Sequence, residues 1–235
     1  MSAGDRHIVD KRSTRIKGSR LHHREMNLET IANFLEGTKK QGTGVFYNNV
    51  LADVIANYIA FKSGDKYDDL MRSIFQDKVK IKYRISYEKH PKGTDWDSKY
   101  WGKLETQATG SYHMTRTDFL RVALSMMKDY QNQTCVGKYL KKIQEQAVRW
   151  SKYGPFKKDN AKLWLHNYAK KYGAQFYFDF YGMDGRNVFG TEGYNGQNML
   201  IDMDNSRIIV TNSAATAWDQ TIYMINPIRD GVLPK

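Results

Sequence analysis

Between residues 49 and 61 the apolar positions recur at helical spacing. Val50, Leu51, Val54, Ile55, Tyr58 and Ile59 form a stripe wide enough to be buried. A shorter stripe, Leu28, Ile31, Phe34 and Leu35, predicts a helix entered at Asn27 and stopped at Gly37. The segment "SGDKYDDLMRSIF" predicts a turn and a further helix reaching about Phe75. Thr115 followed by Asp118 has the spacing of a capping box, so a helix is expected from Arg116. Residues 137–150 and 158–171 also read as helices, separated by "KYGPF", whereas residues 1–26 show little periodicity.

Strand signals are of another kind. "VKIKYRISYEK" alternates, and the following "HPKGTDWDSKYWGK" is loop-like. After Gly173 the period changes to two, with Phe176, Phe178 and Phe180 on one face of a predicted strand. "GQNMLIDMD" and "RIIVTNSA" predict two more strands, joined by a tight turn at Asp204-Asn205-Ser206. Helices segregated from an antiparallel meander define an α+β class. The expected organisation is one domain over residues 1–235, mainly helical over 1–172 and mainly sheet over 173–235.

Composition narrows the function only a little. Of the 235 residues, 40% are hydrophobic and 26% charged, which fits a globular chain with a core. No run approaches the roughly 20 apolar residues that span a bilayer, so no transmembrane segment is expected. The single Cys135 excludes an internal disulfide, and the six histidines show no metal-ligand spacing, so neither metal nor cofactor is expected. The compartment stays open. The net charge of +12 favours anionic partners, but the basic residues are dispersed and no nucleic-acid motif accompanies them.

An ordered set of segments narrows it further: "FYNN" before the buried helix, "TGSYHMTRTDFLRVALSMM", "YGAQFYFDFYG", "FGTEGYNGQNMLIDMD" and "RIIVTNSA". This order resembles the serine β-lactamase-like hydrolases, which include class C β-lactamases, D-alanyl-D-alanine carboxypeptidases (penicillin-binding proteins) and related esterases and amide hydrolases. The resemblance runs from about residue 1 to about residue 213. The family's Y-x-N motif is matched by Tyr47 and Asn49. Its K-T-G or H-x-G strand motif is matched in position by Thr191, Glu192 and Gly193, followed by G-x-x-G-Q at Gly193 to Gln197. Met114, Thr115 and Asp118 match a helix-opening M-T-x-x-D.

The resemblance implies acyl transfer through an acyl-enzyme on an amide, lactam or ester, from a small-molecule or peptide-like substrate. Tyr47 would shuttle the proton, Asn49 would orient the lysine of S-x-x-K, and the backbone N–H of Tyr194 would supply one oxyanion donor. The chain departs from the pattern twice. Its S-x-x-K strings, Ser63–Lys66 and Ser125–Lys128, both follow Tyr47, out of order for a nucleophile. "MSAG" is similar to the tail of the segment after the family's S-x-x-K, so the expectation is a C-terminal portion, inactive alone. Thr191 stands where lysine or histidine is common, and Glu192 would set a negative charge near the site, against an anionic ligand. With the N-terminal strands absent, a sheet edge would lie open and favour dimerisation.

Plainer readings stand beside these. Asn49 is a good N-cap, Tyr47 a packing aromatic before it, and Gly193 and Gly196 bulge or turn glycines. Glu192 would be a solvated or salt-bridged strand residue. Two other functions remain open: a non-catalytic ligand-binding module of the same fold, and a basic nucleic-acid-binding protein with strongly salt-dependent binding.

Overall fold

A computed structural model of the chain describes residues 15–16, 19–20, 59, 62–63, 66–83, 85–91, 106–150, 164–193, 196–213 and 218–232. The expected helices over 27–37 and most of 49–61 lie outside the described residues. The chain forms two compact units, Ala3–Met114 and Thr115–Lys235, the second taking in Met1–Ser2.

In the first unit, β1 (Arg15–Ile16) and β2 (Ser19–Arg20) make a short antiparallel pair. Helix α1 (Tyr67–Arg72) continues into a π-helical turn, Ser73–Lys78, past the expected end at Phe75. Tyr67 and Met71 lie one turn apart and are buried, with Leu70, Ile74 and Phe75 packed on them. The alternating stretch after Val79 becomes a strand later than expected. Lys80 has φ of 61°, outside strand geometry, and β3 spans Ser86–Pro91. It pairs antiparallel with β4 (Thr106–His113), which the residue pattern does not announce.

The second unit opens where the capping pattern predicts. Helix α2 (Arg116–Gln131) begins as the Asp118 N–H donates to the Thr115 hydroxyl at 3.1 Å. Helix α3 (Cys135–Glu145) repeats the device: the Gly137 N–H donates to the Thr134 hydroxyl at 3.2 Å. A Cβ at Gly137 would sit 1.9 Å from the Asp129 carbonyl oxygen, so the glycine lets α3 close onto the end of α2.

Six strands follow, paired antiparallel in chain order: β5 (Val148–Arg149), β6 (Ala169–Gly173), β7 (Phe176–Phe180), β8 (Val188–Gly193), β9 (Gln197–Asp202) and β10 (Arg207–Thr211). The class is therefore α+β. One element differs from expectation. Within the stretch read as a helix over 158–171, the described part is a 3-10 turn, Leu165–Tyr168, running into β6. Buried Ala169 and Tyr172, three residues apart, imitate a helical stripe. Ladder partners on β5 and β7 hold the segment extended instead. Likewise α3 ends at Glu145, and Val148 and Arg149 belong to the sheet rather than to a helix over 137–150.

Alternation along β9 builds a core on both faces. Met199 and Ile201, with Met203, pack with Phe178 and Phe189 beneath Ala123, Met127 and Leu140 of α2 and α3. Asn198, Leu200 and Asp202 point to the other face. There the buried Asn198 amide donates to Gln220 at 3.0 Å, next to a π-helical turn (Thr221–Ile225) that leads into α4 (Asn226–Asp230). Asp202 pairs with Arg186. Arg186 and Arg207 both donate to the carbonyls of Ile228 and Arg229, so two guanidinium groups satisfy the end of α4. Gly231, with φ of 76°, ends that helix, and a Cβ there would lie 2.6 Å from the Arg207 guanidinium. No helix among the described residues is long and apolar enough to cross a membrane.

Candidate functional site

Strand β8 carries Thr191, Glu192 and Gly193, and its two halves differ. Val188, Phe189 and Gly190 are buried, whereas Thr191, Glu192 and Gly193 are half-buried. Pairing with β7 is confined to Tyr177–Gly190, while pairing with β9 runs on to Gly193–Gln197. Among the described residues neither 188–189 nor 191–193 forms a ladder pair with β7. Two local features limit the β7 ladder on the Val188 side of the Tyr177–Gly190 pair. Asp179 takes φ of 53°, which bends β7 out of strand geometry. The Phe180 ring closes on Gly190, where a Cβ would be 2.5 Å from Phe180 Cζ.

The hairpin into β9 is tightly held. The Gly196 N–H donates to the Gly193 carbonyl at 3.2 Å, and Gly196 has φ of 78°. The Thr211 hydroxyl donates to the Gly196 carbonyl at 2.8 Å, and the Gln197 amide donates to the Ser213 carbonyl. A Cβ on Gly193 would lie 3.0 Å from the Gln197 Cβ and from its carbonyl oxygen. Glycine at 193 therefore has a reason inside the hairpin, whatever approaches the strand.

Glu192 lies opposite Asn198 and shares its face, toward the 3-10 turn. Its carboxylate accepts from the Leu165 N–H at 3.2 Å, the His166 N–H at 3.0 Å and His166 Nδ1 at 2.6 Å. The His166 ring is stacked on Trp164, with centroids 5.9 Å apart, and lies 6.1 Å from both Trp150 and Tyr177. Side-chain exposure is 7% for Glu192 and 23% for His166, so the carboxylate is enclosed and the imidazole reaches the surface. An open carboxylate at 192 is not what the strand presents: Glu192 is hydrogen-bonded to the 3-10 turn. Tyr168 anchors the same turn to the C-terminal segment through a hydroxyl–hydroxyl hydrogen bond with Thr221. Burial pushes the Tyr168 phenol above its usual pKa.

The other sequence-derived candidates divide clearly. Tyr47, Asn49 and Tyr194 lie outside the described residues. Thr115 and Asp118 serve the start of α2, and Asp118, fully buried, also accepts from Arg121 at 2.7 Å. Ser63 sits in a turn, its N–H donating to the Ile59 carbonyl at 2.9 Å, and Ser125 lies inside α2. His166 was not reachable from sequence spacing, since its partner is 26 residues away. The available signal was a histidine flanked by tryptophan and tyrosine, together with an acid at a strand position that otherwise resembles a ligand-facing motif. Comparison with protein-family models, with curated proteins and with solved structures returned no match.

Proposed function

We propose that this chain carries motifs of a β-lactamase-like serine hydrolase acting on an amide, lactam or ester. The observation that carries the reading is that Thr191, Glu192 and Gly193 stand together on the half-buried end of a strand, β8, that pairs with β9 along this whole stretch. These are the residues that match the family's strand motif. In this reading Tyr47 moves the proton of the nucleophile, Asn49 orients the cation beside it, and the Tyr194 N–H stabilises the oxyanion.

The 235-residue chain is expected to bind nitrocefin without turning it over, because no S-x-x-K precedes Tyr47 in it. Amide hydrogen exchange with saturating nitrocefin should slow at residues 191–193. Unchanged exchange there would sink the reading. So would turnover of nitrocefin or a p-nitrophenyl ester that disappears in Ser63→Ala or Ser125→Ala.

The same fold reading places a dimer contact at β10. This strand borders the sheet, with β9 on one side and no described strand on the other, and it carries the β-branched run Ile208, Ile209, Val210. Two copies can continue the sheet by antiparallel pairing of β10. Light scattering should report a dimer; a monodisperse monomer would count against the contact.

A further inference from the structure

We draw no further inference here: the strongest candidate, the surface patch on the outward face of α3 where Val136 and Tyr139 stand exposed beside Lys138 and Lys142, carries nothing because nothing among the described residues shows what covers it.

Discussion

Asp202→Ala is expected to destabilise the second unit by about 3 kcal/mol, read as a lowered urea midpoint. The carboxylate has no exposed surface and meets the Arg186 guanidinium. It also accepts from the Asp204 and Asn205 N–H groups at 3.1 Å each and from the Asn205 amide at 2.8 Å. Alanine would leave the cation without its counter-charge and the β9–β10 turn without its acceptor. Arg186 retains the Ile228 and Arg229 carbonyls and is 21% exposed, which keeps the effect at the lower end of the range for a broken buried pair. A pH dependence accompanies it. Burial pushes the Asp202 carboxyl up, but the hydrogen bond from Arg186 and those from Asn205 outweigh it and hold the group below its ordinary value of 3.8. The unfolded chain therefore takes up the proton first. The contribution of Asp202 is complete above about pH 4 and is lost as pH falls through the depressed folded value. Asp202→Asn should flatten that acid limb of the stability curve, and an unchanged limb would show that other carboxylates govern it.

Features written in local chemistry were legible in the sequence. The Thr115–Asp118 spacing places the start of α2 correctly because an N-cap needs only four consecutive residues. The turn at Asp204-Asn205-Ser206 was legible for the same reason, with Asp202 accepting from the two N–H groups that follow it and Ser206 at φ of 54°. Phe176, Phe178 and Phe180 announced β7 by their period. Features set by partners distant in sequence were not legible. "AKKYG" has the lysines of a solvated helix face, yet it is extended because β5 and β7 flank it. The Arg186–Asp202 pair, which ties the sheet to α4, joins two residues that look like ordinary loop and turn polar groups. At the candidate site no period announced β8, and only the resemblance put Thr191-Glu192-Gly193 on a strand. The inward turn of Glu192 was not readable either, since it depends on which face of β8 the 3-10 turn covers.

That inward turn makes Glu192→Leu the sharpest test of how β8 is held, with an expected loss of about 3 kcal/mol. Leucine approximates the shape of glutamate but accepts nothing. The Leu165 and His166 N–H groups and the His166 ring would all lose their acceptor in an environment where Glu192 is 7% exposed. A buried donor without a partner costs about 1–3 kcal/mol, and part of that is recovered as His166 turns toward solvent. A solvated strand glutamate would behave differently, with substitution changing stability by less than about 0.5 kcal/mol. Urea denaturation separates the two outcomes. Hydrogen exchange then locates the effect: the amides of Leu165 and His166 should exchange faster in Glu192→Leu, while those of Met199 and Leu200 stay slow because their pairing with β8 and β10 does not involve the carboxylate. A change within 0.5 kcal/mol, with Leu165 and His166 still protected, would mean that the 3-10 turn stands without the clasp. Glu192 would then be dispensable to the shape of the site.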